Sequence, residues 1–399
     1  MNSHPLISFD NTEFAFEYKT DKELRKANFL FSSMSHSWLV NMGVKVTPWA
    51  IKTGLPINGL IRNTIFSQFV GGETLEETTV VAKNLGKYNV QVILDYGVEG
   101  KESEESYDHA TDEFIKVINY AASQEKIPFI SVKVTGIARF GLLQTLDEAP
   151  RLRSGIHDHE AETAEKDRIY DRMYRICEVA AEKGIGVLVD AEESWIQDPV
   201  DRLVIDMMSI FNKEKPIVYN TIQLYRHDRL QFLKMSHRIA KQKQFKLAVK
   251  LVRGAYMEKE RERAIEKGYP SPIQPDKEST DRDYNEAVHY CIDNIDDVAL
   301  IVASHNEESN LLAAQLLDNK GIPHNHPYVH FSQLYGMSDN ITFNLAKSGY
   351  SVSKYLPFGP IREVIPYLMR RAQENTSVSG QTGRELSLIN KELGRRKAS

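Results

Sequence analysis

Cysteine is scarce in this sequence: among 399 residues only Cys177 and Cys291 occur. Each falls within an expected helix without metal-ligand spacing, so no disulfide is expected and buried thiols in a reducing compartment are the economical reading. The N-terminus lacks a basic start followed by an apolar run, and no window has the length and apolarity of a membrane span. The expected location is cytoplasmic or peripheral to the inner membrane. A formal net charge of -5 provides no electrostatic footprint for nucleic acid. The phosphate loop Gly-x4-Gly-Lys-Ser/Thr is absent, and "GIGV" at Gly184 lacks the third glycine of a dinucleotide fingerprint. Low-complexity tracts and short repeats are missing too. Two histidine-bearing stretches, residues 157–160 and "HNH" at 324–326, fall in expected loops, and no metal is expected.

What is present is an alternation. From Asn89 onward, apolar strand-like runs alternate with long amphipathic segments, which argues for parallel strands joined by helical crossovers. The runs are "QVILDYG", "FISVKVTG", "IGVLVDAE", "IVYNTIQL", "LAVKLVRG", "ALIVASHN", "VHFSQLYG" and "SVSKYLPFG". Their number predicts a TIM-like (β/α)8 barrel, and the segment from Asn89 to Asn375 is close to the roughly 250 residues such a barrel needs. Residues 1–88, including "TLEETTVVAKNLGKY", read as an N-terminal helical arm, and 89–399 as the barrel with a C-terminal tail. Residues 137–160 read as an inserted loop after the second strand.

The active site of such a barrel lies at the C-terminal ends of its strands, so inward polar residues there are candidates. Alternation along "FISVKVTG" sets Ser131, Lys133 and Thr135 against Ile130, Val132 and Val134, and the apolar set should face the helices. The same count selects Asp190, Gln223, Lys250, His305 and Tyr355. In "PYLMRRAQEN", Tyr367, Arg370, Arg371 and Glu374 stand at i, i+3, i+4 and i+7 on one helix face, while Ile361, Val364, Ile365, Leu368 and Ala372 form an apolar stripe opposite. Adjacent arginines suit a carboxylate or phosphate. Residue chemistry alone therefore reads as a barrel enzyme with an anion site.

Five stretches carry a resemblance: "KLVRGAYMEKER" (250–261), "VASHNEES" (302–309), "VDAEES" (189–194), "QLYGM" (333–337) and "KYLPFGPIREVIPYLMRRAQEN" (354–375). In their order they closely resemble proline dehydrogenase. The resemblance spans the barrel and not the arm. It implies noncovalent FAD, oxidation of L-proline to Δ1-pyrroline-5-carboxylate by hydride transfer from C5 to flavin N5, and electrons passed to a quinone. It also implies that Arg370 and Arg371 bind the proline carboxylate, with Tyr367, Leu334 and Tyr355 around the pyrrolidine ring and Lys133 near the carboxylate. Asp190 resembles the aspartate of the catalytic centre, and Gln223 the glutamine that hydrogen-bonds the flavin ring. Ala191, Arg253, Gly254, Ala255, Ser304, His305, Arg371 and Glu374 correspond to positions that line FAD.

Lys250 departs from the bifunctional bacterial members, in which an arginine opens the "RLVKGAY" motif and contacts N5. Here the arginine comes later, as Arg253, in the order of the monofunctional mitochondrial branch. An ammonium donates to N5 without offering a fork. The chain has no room for an NAD-dependent aldehyde dehydrogenase module, so a separate pyrroline-5-carboxylate dehydrogenase is expected. Competing expectations are a trans-4-hydroxyproline dehydrogenase, against which the bulk of Tyr355 argues, and a barrel that binds without catalysing.

Overall fold

A computed structural model describes residues 7–36, 38, 40, 42–43, 58–97, 102–148, 159–377 and 381–398. Eight strands close into a barrel in chain order. They are β1 (Gln91–Tyr96), β2 (Phe129–Val132), β3 (Gly186–Val189), β4 (Val218–Gln223), β5 (Leu247–Val252), β6 (Val298–Ala303), β7 (Val329–Leu334) and β8 (Val352–Phe358). Every expected strand is present, shortened at one or both ends. Parallel registers pair Ile93 with Tyr355, Val132 with Val189, and Thr221 with Lys250.

By contact, the chain forms two compact units, one of residues 1–98 with 332–399 and the other of 99–331. In the unit of 99–331, alternation holds along the strands. Phe129 on β2 meets the Tyr219 ring on β4 edge-on at 5.6 Å, and the His330 ring on β7 at 5.2 Å. Gly186 on β3 lies under the Phe129 ring, where a Cβ would collide with it. Burial pushes the His330 imidazole down to about 3, so the ring stays neutral. Two residues onward on the same faces come Ser131 and Thr221, and two beyond those Lys133 and Gln223. An aromatic floor thus gives way to hydroxyls and then to strong polar groups toward the C-terminal ends, a filled barrel and not a pore.

Residues 137–160 are not simply a loop. Leu142 and Leu143 are buried, and their apolar surface draws Phe140–Glu148 into a helix. Asp147 Oδ1 accepts from the backbone N–H of Asp198 at 3.0 Å, and Arg202 donates to the carbonyl of Leu146 at 3.1 Å, tying this helix to Ser194–Phe211. Residues 149–158, which include His157, lie outside the described residues.

In the unit of 1–98 and 332–399, the described elements of the arm are helices joined by short turns. Thr20 opens the helix Asp21–Met34 with a reciprocal cap to Glu23. Leu24, Ala27 and Phe31 of that helix join Phe66 and Phe69 in one core with Ile361, Val364, Ile365, Leu368 and Ala372. The apolar stripe of the helix Ile361–Ser377 is therefore buried as its spacing predicts. Leu388 and Ile389, from the helix Gln381–Ala398, complete that core. No helix among the described residues is long and apolar enough to cross a membrane.

Candidate active site

The residues immediately after β2 and β3, with one on β5, form a charge cluster of three at the C-terminal ends of the strands. Lys250 is 5 % exposed and does not reach solvent; its Nζ donates to Asp190 Oδ1. Lys133 Nζ lies 3.4 Å from the other oxygen, Asp190 Oδ2. One carboxylate thus carries two ammonium groups, and the trio keeps a net positive charge. Its exposure is graded, with Lys250 and Asp190 at 6 % and 13 % of side-chain surface and Lys133 at 28 %. The cluster is partly open on the Lys133 side.

Behind it, Glu192 accepts from Thr135 Oγ1 at 2.8 and 3.0 Å. Burial raises the Glu192 carboxyl to about 7, against the Thr135 hydrogen bond. Gln223 Nε2 donates to the backbone carbonyl of Glu192 at 3.0 Å. Since the amide nitrogen must face that carbonyl, the atom left over is the acceptor Oε1, which is buried without a hydrogen-bond partner among the described residues. A buried acceptor without a donor calls for one.

Arg253, just beyond β5, is fixed on three sides. Nε donates to Asp281 at 2.7 Å, and the terminal nitrogens to Ser304 at 2.7 Å and Ser309 at 2.9 Å. The guanidinium also sits 4.4 Å from the Tyr284 ring centroid. Gly254 adopts φ +135°, and a Cβ there would come within 2.5 Å of the Tyr225 ring. Its glycine is thus required by a neighbouring side chain as well as by backbone conformation. Gly254 and Ala255 are exposed, and Ala191 and His305 half-buried.

In the other unit, Leu334 ends β7 and Tyr355 lies within β8, both half-buried. Tyr335 N–H donates to the carbonyl of Tyr355 at 2.9 Å, which fixes the two candidates to each other through backbone. Tyr367 and Arg370 are half-buried and Arg371 is buried; the Arg371 guanidinium lies 5.4 Å from the Tyr367 ring centroid. The Glu374 side chain lies outside the described residues. The structure thus brings Lys133, Asp190 and Lys250 together, sets Arg253 with Ser304, and places Leu334 beside Tyr355.

Sequence reasoning missed Thr135 with Glu192, Asp281 and Tyr284 under Arg253, and Glu260, whose carboxylate accepts from both N–H and Oγ of Ser194 at 2.7 and 2.6 Å. These pairs lie far apart in sequence and leave no local pattern. Among the described residues, no three His, Cys, Asp or Glu side chains gather as metal ligands would. His324 is 2.6 Å from Asp318 on the surface, and Cys177 and Cys291 are free, buried thiols.

A family model described as Proline dehydrogenase matches residues 79–384. The chain is 36% identical over 338 residues to the carbapenem antibiotics biosynthesis protein CarD of Pectobacterium carotovorum subsp. carotovorum, covering 85% of this chain and 86% of that protein. It is 32% identical over 385 residues to Proline dehydrogenase 1, mitochondrial, of Dictyostelium discoideum, covering 86% of this chain and 67% of the relative. Among solved structures, proline utilization A (PutA) from Bdellovibrio bacteriovorus, inactivated by N-propargylglycine, superposes with a TM-score of 0.72 at 21% identity, covering 98% of this chain and 42% of that one. That likeness concerns the fold.

Proposed function

The chain belongs to the proline dehydrogenase family, and from that premise we propose that it oxidises L-proline to Δ1-pyrroline-5-carboxylate with noncovalent FAD. The observation that carries the reading is the cationic trio Lys133–Asp190–Lys250 beside Gln223, whose buried Oε1 lacks a donor. A flavin ring offers an N–H for that acceptor, and an anionic reduced ring suits the net positive charge. Lys250, Gln223, Arg253, Gly254, Ala255, Ala191, Ser304, His305 and Glu374 are the residues proposed to hold it. When bound, FAD would accept the hydride from proline C5 at N5 and pass electrons to a quinone.

The chain's own residues bind and orient. Arg370 and Arg371 would hold the proline carboxylate, with Tyr367, Leu334 and Tyr355 fixing the ring and Lys133 adding charge near the carboxylate. Both oxygens of Asp190 are engaged by ammonium groups, so it orients the two lysines. Tyr355 takes up space beside C4, which favours proline over trans-4-hydroxyproline. We assign catalysis to the barrel, 89–399, and support to the arm, 1–88. Contact with the surface of the inner membrane, where a quinone is reached, and a separate pyrroline-5-carboxylate dehydrogenase belong to the same reading. A yellow preparation whose flavin absorbance is bleached anaerobically by L-proline supports it. A preparation without flavin, or one bleached only by trans-4-hydroxyproline, would refute it.

A further inference from the structure

The turn that closes β7, residues 334–338, is held from three directions within its own unit. From β8, Lys354, which is wholly buried, donates Nζ to the carbonyl of Met337 at 2.5 Å and lies 3.5 Å from that of Leu334. A lysine in the helix-facing register between Val352 and Leu356 is otherwise out of place, since that register is apolar. Asp339 balances it, with Oδ1 2.8 Å from Lys354 Nζ, while its other oxygen takes Lys19 at 3.0 Å and Tyr18 Oη at 2.8 Å. From the arm, Gln68 Nε2 donates to the carbonyl of Gly336 at 2.8 Å. Gly336 adopts φ +80°, and a Cβ there would collide with the Gln68 backbone. From the C-terminal helix, the buried Glu385 carboxylate accepts from the N–H of Ser338.

We propose that this clamp is a positioning device for substrate selection: Lys354, Gln68 and Glu385 fix the turn, and the turn fixes Leu334 and Tyr355. The link to the wall is covalent and hydrogen-bonded at once. Leu334 is the first residue of the turn, and Tyr355 is both the chain neighbour of Lys354 and the acceptor for Tyr335 N–H. A shift of the turn must therefore move both side chains. The inference rests on the reading of Leu334 and Tyr355 as walls of the proline pocket. It gives the arm and the C-terminal helix a part in specificity though neither supplies a wall.

The test is steady-state kinetics with L-proline and trans-4-hydroxyproline on preparations of equal flavin occupancy. Gln68→Ala and Glu385→Leu are expected to raise KM for L-proline and to narrow the preference for it by roughly tenfold, with kcat within about twofold of the parent. Glu385→Gln keeps an acceptor for Ser338 N–H and should retain the parent's selectivity. Lys354→Met should act in the same direction as Gln68→Ala; if it does not fold, the other variants carry the test. Tyr355→Ser is measured alongside. If Tyr355→Ser changes selectivity while Gln68→Ala and Glu385→Leu lower only Tm, the clamp is structural and the inference falls. If Tyr355→Ser also leaves selectivity unchanged, the pocket-wall reading fails first and takes the inference with it.

Discussion

Asp190 and Asp339 occupy the same electrostatic arrangement, one carboxylate between two ammonium groups, in surroundings that differ. Around Asp339 the side chains of Lys354 and Lys19 are 0% and 11% exposed and the carboxylate 3%. Around Asp190 the corresponding values are 6% for Lys250, 28% for Lys133 and 13% for the carboxylate. The sealed trio also finds its remaining partners inside the protein: Tyr18 for Asp339 and the carbonyl of Met337 for Lys354. Burial would raise the Asp339 carboxyl, but Lys19 and Lys354 outweigh it and bring it down to about 2. Such a cluster binds no ligand itself; its cations are engaged in holding the turn after β7. The partly open trio keeps Lys133 toward solvent, where a ligand can join it. The same three charges thus differ in how much water they have lost, and we propose that the more open set takes part in the chemistry.

The largest difference between the two should appear in stability. Lys354→Met leaves Asp339 buried with one cation fewer, and breaking a buried pair costs about 3–5 kcal/mol. Lys250→Met leaves Asp190 beside Lys133 and nearer solvent, so its loss in chemical denaturation should be clearly smaller. Equal losses would mean that the two trios are equally structural.

Next in size is binding. Arg370 is proposed to act on the substrate's carboxylate, so its loss should be read first in binding. A charged hydrogen bond is worth about 1.5–3 kcal/mol, so Arg370→Met should raise KM for proline by roughly ten- to a hundredfold. Parent-like kcat/KM would remove the carboxylate clamp from the account.

A smaller effect separates the clusters by pH. Burial raises both Glu385, beside the sealed trio, and Glu192, behind the open one, from the usual 4.5 to about 7. The folded state then binds more protons than the unfolded one between these values. That contribution to stability is full below about 4.5 and is lost as pH rises toward about 7, by on the order of 1–3 kcal/mol for each group. Glu385→Gln and Glu192→Gln should each flatten this part of the stability profile. A slope that neither substitution changes would mean that neither carboxyl is held protonated.

The barrel was legible because each strand is an apolar run of the right length, and the inward residues because alternation needs only one fixed point. Lys133 and Lys250 followed from that count. Asp190 did too, but its pairing with the lysines did not, since it lies 60 residues from Lys250; nor did the pairing of Tyr18 with Asp339, 321 residues apart. Lys354 did leave a signal, a charge in an apolar register, which a search confined to inward positions passes over. The helix Phe140–Glu148 was hidden by its brevity, as nine residues barely establish a period. Arg370 and Arg371 stood out because adjacent arginines opposite the apolar stripe of a helix suit an anion.

If the open trio serves the cofactor, the effect should show at Lys250. The anaerobic rate of flavin bleaching by L-proline should be compared between the parent and Lys250→Met at matched FAD occupancy. A cation removed from beside a ring that gains negative charge should slow reduction and lower the potential, while Arg253 and Gln223 keep the cofactor bound. If the variant is reduced at the parent's rate, Lys250 and Asp190 form only a structural pair, and the difference from Lys354 and Asp339 carries no functional meaning.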